Sequence, residues 1–171
     1  MIFCCTISTP LGKIMTAAED KKIIGLWFIG QKYYPSQTNT WTEKPDYPVF
    51  QKLRLWIKNY FAERNPEINF PLAPKGSVFQ QSVWKILLKI PYGKTMSYGD
   101  VARKIAAKRG LSTMSAQAVG GAVGHNPVSL VIPCHRVVGT DGSLTGYAGG
   151  LDKKKYLLAL ERGKSTVDKN L

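Results

Sequence analysis

Short apolar runs separated by turn residues fill the first third of the chain. Ile2–Thr9 stops at Pro10, and Leu11-Gly12 after it is a turn signal. Lys13–Ala18 and Lys22–Ile29 flank the polar Glu19-Asp20-Lys21, a spacing that predicts an antiparallel meander. Residues 33–48 carry Pro35, Pro45 and Pro48 among polar positions and read as a connecting loop. Phe50, Leu53, Ile57, Tyr60 and Phe61 then recur at helical spacing, predicting an amphipathic helix to about Ala62. Residues 65–76 hold Pro66, Pro71, Pro74 and Gly76 without periodicity and mark a boundary. Beyond it the period is helical. Phe79, Val83, Ile86, Leu87 and Ile90 make one helix, stopped by Pro91-Tyr92-Gly93. Ser97 caps a second, with Tyr98, Val101, Ala102 and Ile105 on its apolar face, and Gly110 ends it. Ser112 or Thr113 caps a third running to about Val123, so this pair predicts a helix-turn-helix. Val128–Ile132 reads as a short buried strand, Asp141-Gly142 as a turn, and Asp152 opens a last helix that stops at Gly163. The expected architecture is α+β: a small antiparallel sheet-plus-helix domain over 1–75, then a mainly helical domain over 76–171.

Charge changes the picture of the partners. Among 171 residues, 24 Lys and Arg face 11 Asp and Glu, a formal net charge of +13. The first 75 residues carry +4 of it and the remainder +9, so an acidic partner, with nucleic acid foremost, is expected on the second domain. Three cysteines, two of them the adjacent Cys4 and Cys5, exclude a disulfide framework. Both histidines lie at or after residue 125, so Cys4 and Cys5 do not complete a zinc site, and no metal or cofactor is expected. No run approaches the roughly 18 apolar residues of a membrane helix. The apolar Met1–Cys5 is too short and lacks the basic flank of a signal peptide. Free thiols without a leader lead to the expectation of a cytoplasmic protein.

Three local features invite chemistry. The third helix, Ser115 to Gly124, is poor in large side chains, and Gly120 and Gly121 each cost about 1 kcal/mol against Ala in a helix interior. Close helix packing and close approach to a ligand surface are both open as reasons. Gln117 is its lone side chain suited to reading bases, which weakens a transcription-factor reading. Cys134 sits between Pro133 and His135; it is either a small buried hydrophobe or a nucleophile whose thiol is acidified by His135 and Arg136. Glu161 is one of the few carboxylates available to orient a histidine base. Lys153-Lys154-Lys155 is a solvated face or a phosphate contact.

Pro133-Cys134-His135-Arg136-Val137, preceded by Gly121-Ala122-Val123-Gly124-His125-Asn126-Pro127, resembles the active-site signature of the O6-alkylguanine-DNA alkyltransferases. The likeness extends upstream through 90–94 with Ser97-Tyr98, and downstream through 146–150 and 157–161. It spans 78–163, while the first 75 residues match in general layout only. The resemblance implies direct-reversal repair on duplex DNA, by a monomer without a cofactor: an O6-alkylguanine is flipped out and its alkyl group moves irreversibly to Cys134. It makes His135 the base acting through a water, Glu161 its orienter and Tyr98 a donor to the departing base. Asn126 holds the turns around the site, and Val123, Val137, Tyr147 and Ala148 line the base pocket. Ser115, Ala116, Gln117, Ala118, Gly120 and Gly121 enter the minor groove. Two positions depart from the pattern. Gln117 stands where familiar relatives have an arginine that fills the gap left by the flipped base, and Ser129 where a proline often lines the pocket. A non-catalytic lesion-binding protein is the alternative, and it would not need Cys134.

Overall fold

The computed structural model describes residues 1–163 and divides them into two packed units. The first comprises 1–75 together with Pro127–Ser129, and the second comprises 76–126 and 130 onward.

In the first unit, β1 (Ile2–Thr9), β2 (Gly12–Glu19) and β3 (Lys22–Phe28) form the expected antiparallel meander. Asp20 and Lys21 make the second hairpin turn at φ of 50° and 66°, the left-handed backbone that a tight two-residue hairpin demands. One strand departs from this expectation. Within the expected loop 33–48, β4 (Thr42–Glu43) pairs parallel to β1, giving the order β3-β2-β1-β4. A two-residue strand has no period to read; the open edge of β1 creates it. The opposite edge, on β3, is also covered. Ile23 exchanges backbone hydrogen bonds with Pro71 and Ala73, and Leu26 does so with Pro127 and Ser129, which shields the edge from intermolecular pairing. Helix α1 (Pro48–Phe61) packs on β1 and β2, burying Val49, Phe50, Leu53, Trp56, Ile57 and Tyr60. Proline at its first position fits, since the N–H it lacks would have had no helical partner.

The second unit is built from α2 (Val78–Leu87), α3 (Tyr98–Arg109), α4 (Ala116–Gly124) and α5 (Leu151–Glu161). Ser77 and Gln80 close a capping box on α2. The predicted run to Ile90 loosens after Leu87 into short-range turns, with Ile90 N–H donating to Leu87. Ser97 caps α3 through the Asp100 N–H, and Gly110 ends it at φ 66°. The cap of α4 is Ser115, which accepts from the Ala118 N–H, rather than Ser112 or Thr113. Packing decides this: α4 must bury Val119, Ala122 and Val123 against α2 and α3, which leaves 111–114 as the turn. Val128–Ile132 is buried but is not a strand. It makes a single bridge, Val128 with Leu26, and then Leu130 turns through φ 72°. That left-handed backbone costs a non-glycine residue about 1–2 kcal/mol.

Candidate active site

Every residue of the expected reaction centre lies in the second unit. The pieces are brought together by two-residue strands: β5 (Met96–Ser97) pairs parallel with β6 (Val137–Val138), Met96 opposite Val137. Tyr98 follows β5 directly and the Cys134–Arg136 turn precedes β6 directly, so this pairing sets α3 beside the cysteine.

The turn itself is tightly drawn. Pro133 adopts φ −81° and ψ 64°, and the Cys134 N–H donates to the Ile132 carbonyl at 2.7 Å, an inverse γ-turn. One 3-10 turn, Cys134–Arg136, follows. Asn126 ties the turn to the end of α4. Its Nδ2 donates to the Ile132 carbonyl at 2.8 Å, and its side chain also hydrogen-bonds Cys134.

His135 is completely buried, with Nε2 2.6 Å from Glu161 Oε2. The carboxylate can only accept, so Nε2 carries a proton, and in the neutral ring Nδ1 keeps its lone pair. Nδ1 is buried with no protein hydrogen-bond partner among the described residues. Burial pushes the His135 pKa below its ordinary value, against the opposing pull of Glu161. Burial alone would raise Glu161; hydrogen bonds from His135 and Arg136, and their charge, instead hold it far below the usual carboxylate range.

Burial also pushes the Cys134 thiol up, opposed by the Asn126 hydrogen bond and the Lys154 charge. The net direction is opposite to the acidification expected from His135 and Arg136, although the His135 backbone hydrogen bond does lower the thiol. Arg136 points at Glu161 rather than at the sulfur, and burial disfavours the charged form of the imidazole.

Lys154, expected on a solvated face or a phosphate, is a correction of the same kind. Its side chain is fully buried, and Nζ donates to the carbonyls of Val137 at 2.6 Å and Gly146 at 2.9 Å. It lies 5.9 Å from the centre of the Tyr98 ring. Its position was legible in one respect: 154, 157, 158 and 161 share a helix face, and that face of α5 is buried.

The remaining candidates are placed as follows. Tyr98 is half-buried, its phenol raised by burial and lowered by a hydrogen bond with Thr145. Tyr147 meets the His135 ring edge-on at 6.4 Å between centres. Burial raises its phenol pKa well above the ordinary value. Val123 and Val137 are buried, and Ala148 is half-buried. Ser129 falls in the segment that packs with the first unit, its N–H bonded to Leu26. On α4, Ser115, Ala116, Gln117, Ala118 and Gly121 are exposed and Gly120 is half-buried. A Cβ added at Gly121 would meet nothing within 4 Å, and one at Gly120 would only touch the Tyr98 ring at 3.9 Å. Packing among the described residues does not require these glycines. No helix among the described residues is long and apolar enough to cross a membrane.

Known proteins match both units of the chain. The family model for the 6-O-methylguanine DNA methyltransferase DNA binding domain matches residues 78–163, and that for the ribonuclease-like domain matches 2–74. A methylated-DNA–protein-cysteine methyltransferase of Mycolicibacterium paratuberculosis is 44% identical over 166 residues, covering 97% of this chain and 96% of the relative. One from Haemophilus influenzae is 40% identical over 158 residues, covering 90% and 83%. Among solved structures, Mycobacterium tuberculosis OGT in complex with DNA superposes with a TM-score of 0.85 at 40% identity, covering 97% of this chain and 96% of that one. With both family models matched in order along its length, the chain belongs to the 6-O-methylguanine DNA methyltransferase family.

Proposed function

We propose that this protein repairs alkylated DNA directly, turning an O6-alkylguanine out of the duplex and moving the alkyl group to Cys134 once per molecule. The observation that carries the proposal is a thiol in the same turn as a buried imidazole whose Nε2 is tied to an ionised carboxylate and whose Nδ1 has no protein partner among the described residues. That is the arrangement of nucleophile, base and orienter.

Burial keeps the thiol of the free protein protonated, so the nucleophile has to be made in the loaded site. The Sγ proton passes through a water to Nδ1 of His135, and the new imidazolium is stabilised by Glu161. The thiolate is steadied by the Asn126 hydrogen bond and the Lys154 ammonium. The S–C bond forms as the C–O6 bond breaks. The electron pair stays on the base, which takes up one proton, while Tyr98 supplies a hydrogen bond to it. The product is a thioether, which nothing in the site can cleave, so each molecule acts once. Val123, Val137, Tyr147 and Ala148 form the base pocket, with the Ala148 N–H toward O6 and the carbonyls of Cys134 and Val137 toward the amine edge. The Val137 carbonyl already accepts from Lys154, leaving one lone pair for the base.

The pair α3 and α4 serves as a helix-turn-helix whose second helix enters the minor groove. Support comes from its exposed Ala116, Gln117, Ala118 and Gly121, which are small or uncharged. Degenerate minor-groove readout suits a protein that must act in any sequence. The net charge of +13 supplies affinity without sequence preference.

The test is intact-mass measurement after incubation with a duplex containing O6-methylguanine. One methyl group per molecule is expected, located on Cys134 and abolished by Cys134→Ser. Unchanged mass with retained lesion binding would replace this proposal by a non-catalytic lesion-binding protein.

A further inference from the structure

The carboxylate that orients His135 is shared. Arg136 Nε donates to Glu161 Oε1 at 2.7 Å, and Nη2 donates to Oε2 at 3.2 Å. Its third nitrogen, Nη1, donates to the Ile90 carbonyl at 2.7 Å, and the guanidinium lies 5.8 Å from the centre of the Tyr92 ring. The Gly93 N–H adds a further donor to Oε1 at 3.1 Å. One nearly buried carboxylate thus faces an imidazole, a forked guanidinium and a backbone amide. The fork fixes the plane of the carboxylate in a way a point charge would not.

This sharing has an electrostatic consequence. A lone carboxylate 2.6 Å from Nε2 would favour imidazolium, because an opposite charge at that range stabilises the protonated ring. With Arg136 neutralising the carboxylate, an imidazolium at His135 would add a net positive charge to a buried space that already holds Lys154. We infer that Arg136 is a positioning residue of the transfer step: it orients Glu161 and keeps the resting His135 ring neutral, so that Nδ1 is available for the thiol proton. The inference rests on the function proposed above. The groups facing His135 are Glu161 and Lys154 from α5, Cys134 and Arg136 from its own turn, and Tyr147 from the loop after β6. Tyr98 of α3 faces Cys134, whose charge raises the Tyr98 phenol. Arg136 is bonded to the same carboxylate as His135. The depressed His135 pKa, with Arg136 among its causes after burial, is in keeping with this role.

The experiment is the pH dependence of single-turnover methyl transfer, paired with ¹⁵N titration of the two histidines in the free protein. Their signals are assigned with His125→Gln. In the unsubstituted protein His135 should be neutral at pH 7 and protonated on Nε2. Arg136→Met, or Arg136→Gln if the former does not fold, should raise the His135 midpoint and the acid limb of the rate profile together, by about one to three pH units. Arg136→Lys keeps the charge and should leave both in place while slowing transfer through the lost fork. An imidazolium in the unsubstituted protein at pH 7 overturns the inference with no variant needed. So does an Arg136→Met protein that is slower or less stable but has an unmoved midpoint, since that marks Arg136 as a structural tie. Absence of methyl transfer at every pH in the unsubstituted protein would instead defeat the proposed function, and the titration would still judge the resting charge of His135.

Discussion

Replacing Gly121 by Ala should make the protein more stable and a poorer repairer of duplex DNA. The residue lies inside α4, is exposed, and has open space where a Cβ would go. Its backbone is not among the positive-φ glycines, so Ala adopts the same helix without strain. The gain should approach the helix-propensity difference of about 1 kcal/mol. For a chain of this size that corresponds to a rise in Tm of about 2–4 °C. Against DNA the sign reverses. A methyl group pushed into a close-packed contact costs about 1–3 kcal/mol, or about 5- to 150-fold in binding. Thermal unfolding measures the first effect. Single-turnover transfer from an O6-methylguanine duplex measures the second, with free O6-methylguanine base as the control that bypasses α4. A stabilised variant with an unaltered duplex rate would refute the claim that this face is kept bare for DNA. A destabilised variant would refute the claim that the protein itself leaves the space open.

Four other outcomes are expected. Gln117→Arg should raise the duplex repair rate without altering reaction with the free base, because a guanidinium plane can stack in the gap left by the turned-out base; an unchanged or lower rate counts against Gln117 facing that gap. Lys154→Met leaves the Val137 and Gly146 carbonyls without this donor and removes the cation acting on Cys134, so transfer at pH 7 should slow and recover as pH rises. Glu161, held below its ordinary value of 4.5 in the folded state, contributes stability that is present above that value and lost as pH falls. Urea unfolding of the unsubstituted protein should therefore weaken more steeply below about pH 4.5 than that of Glu161→Gln, and parallel curves would contradict the shared-carboxylate geometry. Duplex affinity should drop steeply between low and physiological salt, as measured by fluorescence anisotropy, because the net charge is +13.

Local rules made much of the chain readable. The meander, α1 and the caps at Ser97 and Gly110 follow from apolar spacing and turn chemistry within a few residues. The Cys134–His135 pair was visible for the same reason, as neighbours after a rigid proline. Misreadings fell where a partner far along the chain decides. The strand at Thr42 exists because β1 offers an edge some forty residues earlier. Val128–Ile132 looked like a strand because burial resembles strand propensity in a five-residue run. The cap of α4 moved to Ser115 because helix packing, not hydroxyl supply, sets where a helix starts.

The sequence by itself determined which residues could react: one thiol beside one imidazole, a distant carboxylate, and a helix stripped of bulk in a basic half-chain. Tertiary structure decided what each of them experiences. It turned Arg136 away from the sulfur and onto Glu161, and it drew Lys154 out of a run of three lysines into the interior. It also showed that a side chain at Gly121 would meet no neighbour among the described residues. The physical reason is that charge, burial and free space at an atom depend on what lies within a few ångströms. Here those neighbours, Glu161 for His135 and Val137 for Lys154, are 26 and 17 positions away in the chain.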